Sequence, residues 1–149
     1  MEISLEKIKK LREETQISIK ECKEALIEAG GDLEKAKEIL KKKYGEIAKK
    51  LEKRETQEGT IAVYLHNTRK IGAMVKILCE TDFVANSPDF QKLAQEICLQ
   101  VAAQDPKEVP LLEQNWIKDE SKKIKDLIEE AIAKFGENIV VKEYVRFQI

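Results

Sequence analysis

Apolar residues recur at helical spacing in three stretches at the start of the chain. The first stretch begins after Ser4, a residue type that caps helices, and the second follows Ser18-x-x-Glu21, which fits a capping box. Gly30-Gly31 ends the second stretch, and Asp32 caps the third. The repeating apolar positions are Leu5, Ile8 and Leu11, then Ile19, Cys22, Leu26 and Ala29, then Leu33, Ala36, Leu40, Tyr44, Ile47 and Leu51. This pattern predicts a three-helix bundle over residues 1–52.

A highly charged segment follows, because the third helix is expected to run past the bundle toward Glu58. Its basic residues are Lys41, Lys42, Lys43, Lys49, Lys50, Lys53 and Arg54. Glutamates lie between them, a mixture typical of a solvated helix face, although an acidic partner would also fit. We predict a linker at residues 53–58.

The rest of the chain changes from helical spacing to alternation and back. Residues alternate between apolar and polar over Thr60–His66 and Ile71–Glu80, which predicts a β-hairpin. Ser87-Pro88 then opens one helix, a second helix ends at Gly136, and Ile139–Ile149 closes the chain as a strand. The order strand, strand, helix, helix, strand predicts an α+β domain.

This predicted core domain spans residues 59–149 and contains a three-stranded antiparallel sheet covered by helices. Its alternating apolar sets are Ile61, Val63 and Leu65, then Ile71, Ala73, Val75, Ile77 and Cys79, then Val141, Val145, Phe147 and Ile149. We expect helices on one face only. The second face should be wetter, with Lys76, Lys142 and Arg146 on it.

Composition limits the partners. Lys plus Arg (27) nearly cancels Asp plus Glu (28), whereas general nucleic-acid binding needs a positive surplus, so we expect no direct nucleic-acid partner. No apolar run approaches the roughly 20 residues of a membrane-spanning helix, so we expect no membrane association. Three cysteines without a C-x-x-C pair indicate reduced thiols and a cytoplasmic protein.

Residues for catalysis or metal binding are sparse. His66 is the single histidine, and no ligand spacing surrounds it. Cys79 and Cys98 fall at positions that predict packing, and no phosphate-binding loop is present. We therefore predict no metal, no cofactor and no enzymatic activity; the alternative is a small enzyme that uses Asp82, His66 and a cysteine.

One corner stands out, at Leu78–Ala85, between a predicted strand and a predicted helix. There Asp82 places a carboxylate directly before the large aromatic Phe83. A side chain at such a corner can point toward a partner. In the alternative reading, Phe83 packs beneath the following helix with Val84 and Phe90.

The corner also carries the motif Thr81-Asp82-Phe83-Val84, preceded by Cys79-Glu80. Further motifs match in order and spacing over nearly the whole chain: Ile8–Thr15, Cys22–Leu26, Gly31–Ala36 and Gly136–Ile139. Together they resemble the elongation factor Ts family, exchange factors for the GTPase elongation factor Tu in protein biosynthesis. The resemblance implies a ubiquitin-associated-like N-terminal domain followed by the α+β core.

The resemblance also implies the site. Phe83 would insert into the GTPase domain of elongation factor Tu beside its Mg2+, and Asp82 would reinforce the displacement, so that Mg2+ leaves and GDP is released. The partner-binding residues are thus Thr81, Asp82, Phe83 and Val84. From their residue types, Thr81 is expected mainly to cap the turn and Val84 mainly to anchor it, with partner contact secondary for both. A second partner contact is implied at Ile19 and Lys20, although Ile19 also fits the core of the bundle.

Several features depart from the family pattern. The turn Thr15-Gln16-Ile17-Ser18 stands where relatives usually have Thr-Gly-Ala-Gly, and Asn67-Thr68-Arg69 replaces a glycine-containing hairpin turn. Asn86-Ser87 stands where a basic residue is frequent. The single core domain implies a homodimer through that domain. A ubiquitin-associated-type adaptor with a scaffold α+β domain is the alternative function.

Overall fold

The computed structural model describes residues 2–149, and it divides the chain into two compact units. One unit ends at Ile47, and the other spans Ala48–Ile149. Each is α-helical or α+β as predicted, so the fold class is confirmed. The predicted boundaries of the domains and linker remain a prediction.

The first unit contains the predicted helices α1 (Leu5–Thr15), α2 (Ile19–Glu28) and the start of α3 (Leu33–Leu51). The predicted caps are present, since the side chains of Ser4, Ser18 and Asp32 each accept a backbone N–H of the first turn. The buried hydrophobic residues are Ile8, Leu11, Cys22, Ala25, Leu26, Ala36, Leu40 and Tyr44. These are mostly the positions that the helical spacing selects.

Two turns adopt left-handed backbone conformations at residues other than glycine. Gln16 follows α1 with φ of 60°, and Arg69 has φ of 62° in the hairpin turn. These are the two turns at which the resemblance to the elongation factor Ts family implies glycine. A residue with a Cβ is strained in this region, so both turns keep the backbone path that glycine favours at some cost in stability.

The second unit is built on a three-stranded antiparallel sheet in the order β1 (Glu58–Leu65), β2 (Ile71–Cys79) and β5 (Val140–Gln148). Helix α5 (Pro88–Ala103) packs on one face of the sheet, and α6 (Ile124–Phe135) follows it in the chain. These are the strands and helices that alternation and helical spacing predict.

Four shorter elements were not predicted. They are α4 (Asp82–Ala85), a 3-10 helix (Leu111–Glu113), β3 (Asn115–Trp116) and β4 (Asp119–Lys123). All are too short for a periodic pattern to be recognised, and they occupy corners and loops between the long elements.

Small side chains allow α5 to approach the sheet closely. Ala62 and Ala73 lie beneath it, and the buried Cys98 thiol donates to their carbonyls at 3.5 and 3.4 Å. Arg146 belongs to this covered side, because it lies opposite Ala73 and its guanidinium donates to the Ala102 carbonyl at 3.2 and 3.1 Å. The prediction that Arg146 lies on a wet second face was therefore wrong.

The other face of the sheet is exposed and largely apolar. Its exposed hydrophobic residues are Ile61, Val63, Leu65, Met74, Val145 and Phe147. Lys76 does lie there, where it pairs with Glu143 at 2.6 Å, but Val63, Met74 and Val145 form a neighbouring cross-strand row. The second face is open to solvent, as expected, but the expectation that charged residues make up its surface was wrong. Alternation groups residues by face without saying which apolar set is covered.

A β-bulge adds to this difference. The register of β5 shifts between the partners of Lys76 and Ile77, so that Ile77 pairs with Val141 and Lys76 pairs with Glu143. The extra residue, Lys142, breaks the alternation. As a result Val141 lies on the covered side, apart from the later apolar residues of the same strand.

Candidate partner-binding site at the end of strand β2

The corner after β2 is a capped and anchored turn. β2 ends at Cys79, and the four-residue helix α4 begins at Asp82. Thr81 is extended and its hydroxyl accepts the Val84 N–H at 3.3 Å, as predicted for a cap. Val84 and Ala85 are buried, so one side of this short helix is fixed against the core.

Phe83 points away from that core and is 88% exposed. It does not pack beneath the following helix. The aromatic residue that is buried there is Phe90 of α5, which meets Phe135 edge-to-face at 6.2 Å between ring centroids. The alternative in which Phe83 is a core residue was therefore wrong. In the isolated chain the Phe83 ring is in contact with water, which is unfavourable for so large an apolar surface. Binding of a partner to the ring would remove this cost.

Asp82 is the exposed acidic neighbour of Phe83. One of its carboxylate oxygens accepts the Asn86 side-chain amide at 2.8 Å, across one turn of the corner. Since Thr81 supplies the cap, Asp82 is the first helical residue and not the cap itself. The corner thus presents a negative charge and an aromatic ring side by side.

Cys79 lies beneath the corner and is fully buried. Its thiol donates to the Thr81 carbonyl at 3.3 Å. Burial, assisted by the negative charge of Glu137, raises the pKa of the Cys79 thiol to about 11. The thiol is protonated at neutral pH, so it serves packing and hydrogen bonding, and it is not a nucleophile.

Two residues that bind the corner were missed as site residues, Glu137 and Asn138. One Glu137 oxygen accepts the N–H groups of Glu80 and Thr81 at 3.1 and 3.0 Å, and the other accepts the Thr81 hydroxyl at 2.7 Å. In return, the Glu80 carboxylate accepts the Asn138 N–H at 2.6 Å. The motif that contains them was recognised, but a glycine followed by polar residues after a helix is typical of an ordinary turn.

The start of α2 carries the second predicted contact. The Ser18 hydroxyl accepts the Glu21 N–H at 3.3 Å and donates to the Glu21 carboxylate at 3.0 Å. Ile19 is 53% exposed and Lys20 is exposed. The alternative that places Ile19 in the core of the bundle was wrong, since the buried residues of α2 are Cys22, Ala25 and Leu26.

Three other features of the described residues bear on function: clusters of metal ligands, the single histidine and membrane-spanning helices. Within residues 2–149, no group of three or more His, Cys, Asp and Glu side chains is arranged to hold a metal ion. The Nδ1 atom of His66 is hydrogen-bonded to the Tyr64 hydroxyl at 3.0 Å. In the described part of the chain, none of the helices combines the length and apolar character needed to cross a membrane.

Comparison with known proteins finds relatives that match the whole chain. A family model described as elongation factor TS matches residues 80–149, beginning at the corner. A Herpetosiphon aurantiacus protein named elongation factor Ts is 38% identical, over 100% of this chain and 98% of the relative. The chain belongs to the elongation factor Ts family. It is therefore a translation elongation factor.

Other members of the family agree. The elongation factor Ts of Thermoanaerobacter sp. strain X514 is 38% identical over 98% of this chain and 94% of its own length. That of Methylacidiphilum infernorum is 36% identical over 99% and 95%. The alignment with the Herpetosiphon protein runs over 195 residues, whereas this chain has 149. The Herpetosiphon protein therefore carries residues that have no counterpart in this chain.

Proposed function

We propose that this protein is a guanine-nucleotide exchange factor that binds the GTPase domain of elongation factor Tu and promotes release of GDP. The observation that carries the proposal is Phe83, an aromatic side chain that is 88% exposed at a corner whose backbone is held from both sides. Membership of the elongation factor Ts family supports the choice of partner.

The mechanism is differential binding. A GTPase holds GDP through its phosphate loop and Mg2+, and the metal carries the largest local charge in that site. A factor that binds the nucleotide-poor conformation more tightly weakens nucleotide binding by the same factor. The Phe83 ring would act as a wedge: it would insert beside the Mg2+ site and hold a displaced element of the GTPase in place, while Asp82 contacts polar groups nearby. Thr81 and Val84 hold the wedge from behind.

A second contact would come from the first unit. Ile19 and Lys20 begin α2, and both side chains are open to solvent. An apolar side chain beside a flexible cation is suited to an interface with an apolar depression and an acidic rim. A second attachment within the same chain increases affinity through effective concentration and leaves the displacement of Mg2+ to the corner.

This role requires no covalent step. Exchange needs neither a nucleophile nor a resident cofactor, because the chemistry that it accelerates is the dissociation of a ligand from another protein. We therefore propose that the protein is not an enzyme, and that it acts in the cytoplasm, where its partner would be found.

We also propose that two copies associate through the uncovered face of the sheet. Val63, Met74 and Val145 form a cross-strand row there, and Lys76 pairs with Glu143 within the same chain. Because these two charges already neutralise each other, a second copy can meet this face without repulsion between like charges. An apolar area of this kind is typical of homodimer interfaces.

The test of the exchange function is release of a fluorescent GDP analogue from elongation factor Tu. It is run with excess unlabelled nucleotide, with and without this protein, across Mg2+ concentrations. We expect strong acceleration that becomes smaller once Mg2+ has been chelated, because the factor then has no metal left to displace. If a folded sample gives no acceleration, the exchange proposal is wrong and the adaptor alternative takes its place.

The test of the dimer is the molar mass in solution, measured by light scattering after size exclusion. We expect twice the mass of one chain for the natural protein and a single chain for Met74→Glu, which places a charge in the centre of the face. Ile117→Glu is the matched control, since Ile117 is a similarly exposed apolar residue in the β3–β4 turn. A single-chain mass for the natural protein at high concentration would contradict the dimer.

A further inference from the structure

The hydrogen bonds of Glu137 form a relay that ends at the wedge. The Val84 N–H donates to the Thr81 hydroxyl oxygen, and the Thr81 hydroxyl donates to the Glu137 carboxylate. The hydroxyl proton is thereby directed at Glu137, which leaves the oxygen lone pairs facing the backbone of α4. A hydrogen bond to a carboxylate is about twice as strong as one between neutral groups. Glu137 therefore orients the cap of the helix that carries Phe83.

The turn that supplies Glu137 is itself held in place. Asn138 is buried, and its side-chain amide donates to the carbonyls of Glu52 and Arg54 at 3.3 and 3.0 Å. The Arg54 guanidinium reaches the Gly136 carbonyl at 3.5 Å. These bonds come from a segment that is distant in sequence from both the turn and the corner. The carboxylate of Glu137 is thus presented from a fixed backbone.

Phe83 needs such support because its own ring contributes little to its placement. The ring is 88% exposed, so the direction of the side chain depends on the backbone of a helix only four residues long. Isolated helical turns of this length are unstable without outside contacts. A wedge that moves freely would lose binding energy to the ordering of its own backbone.

We infer that Glu137 is a positioning residue for Phe83: it holds the cap of α4, and through it the wedge, in the orientation that displaces the nucleotide. This inference rests on the proposed exchange function. Glu137 lies outside the motif at the corner, 56 residues further along the chain than Thr81, to which it is hydrogen-bonded.

The test is a double-mutant cycle between Glu137→Gln and Phe83→Ala, read as the rate of GDP release at saturating factor. Glutamine has nearly the same shape but cannot accept all three donors. We expect Glu137→Gln to slow release about five-fold or more when Phe83 is present, and to have almost no effect in the Phe83→Ala background. Glu108→Gln, at an exposed position, controls for the loss of one negative charge.

The outcomes of the cycle separate the inference from the proposed function. If Phe83→Ala alone releases GDP at the natural rate, the wedge proposal is wrong. If Phe83→Ala is slow but Glu137→Gln has no effect, or has the same fold-effect in both backgrounds, the wedge stands and the positioning role of Glu137 is overturned.

A measurement on the free protein gives a second readout. In Glu137→Gln, we expect hydrogen exchange at the Val84 and Ala85 amides to accelerate about ten-fold, while amides of α5 keep their natural rates. Unchanged exchange at Val84 would contradict the inference. If Glu137→Gln does not fold, Glu137→Asp replaces it in the same cycle, because the shorter side chain withdraws the carboxylate from Thr81 and leaves the Thr81 cap of Val84 in place.

Discussion

Two helix starts in this protein present an apolar side chain to solvent, and they are held in different ways. At α2 the cap is Ser18, and its hydroxyl exchanges hydrogen bonds with Glu21 three residues ahead. At α4 the cap is Thr81, and its hydroxyl donates to Glu137, 56 residues ahead. Ile19 is half exposed at the first start, and Phe83 is almost fully exposed at the second.

The difference indicates that the two helix starts have different roles. A local cap defines where a helix begins, but the surrounding bundle determines how firmly its first turn is held. A cap that is bonded to a distant turn ties a short helix to the rest of its unit. The start that is held by the distant residue is the one proposed to displace the nucleotide, and the locally held start is the one proposed to add affinity.

The largest expected effect is that of Phe83→Ala. Nucleotide release at saturating factor should fall about ten-fold or more, equivalent to roughly 1.4 kcal/mol or more in the barrier, because the ring that holds the displaced state is lost. Stopped-flow release of a fluorescent GDP analogue measures it. Ile117→Ala is the control for loss of an exposed apolar side chain, and a natural rate from folded Phe83→Ala would refute the wedge.

Removal of the caps should cost less and should differ between the two starts. Ser18→Ala removes a local cap and should lower the free energy of unfolding by about 1 kcal/mol. Thr81→Val should cost more, because it also leaves the Glu137 carboxylate without its hydroxyl donor. Urea denaturation followed separately by amide signals of each unit compares the two. Equal costs would remove the contrast between local and long-range caps.

The turn before α2 offers a stabilising substitution. Gln16 has φ of 60°, so Gln16→Gly removes the strain of a side chain in the left-handed region. We expect the free energy of unfolding of the first unit to rise by about 0.5–1 kcal/mol. Ile17→Gly is the control, because Ile17 is not among the residues with positive φ, and it should destabilise. A loss of stability in Gln16→Gly would show that the side chain's bond to the Glu13 carbonyl outweighs the strain.

The smallest effect is expected for Ile19→Ala. The concentration of factor that gives half-maximal exchange should rise about three-fold, while the rate at saturation stays unchanged, because this residue would contribute affinity without displacing Mg2+. Leu5→Ala removes another exposed apolar side chain of the same unit as a control. A fall in the saturated rate for Ile19→Ala would erase the distinction between the two starts.

Much of the site was predictable from the sequence, but its environment was not. The motif at residues 81–84 identified the corner, and the prediction that Thr81 caps it is confirmed. Whether Phe83 faced the core or the solvent could not be decided, because an aromatic residue between two elements fits either. The partnership with Glu137 was missed, since no local pattern connects residues so far apart.

The sheet likewise combines features that local sequence predicts with features that it does not. Local patterns in the sequence predicted the long strands and helices, several helix caps and the order that makes an α+β domain, because each of these depends on residues within a few positions of one another. The folded chain was needed to see which face of the sheet α5 covers, where the bulge moves Val141, and which groups hydrogen-bond to Glu137. Those outcomes depend on register and on contacts between distant segments, and a single residue of shift reverses every side chain in a strand.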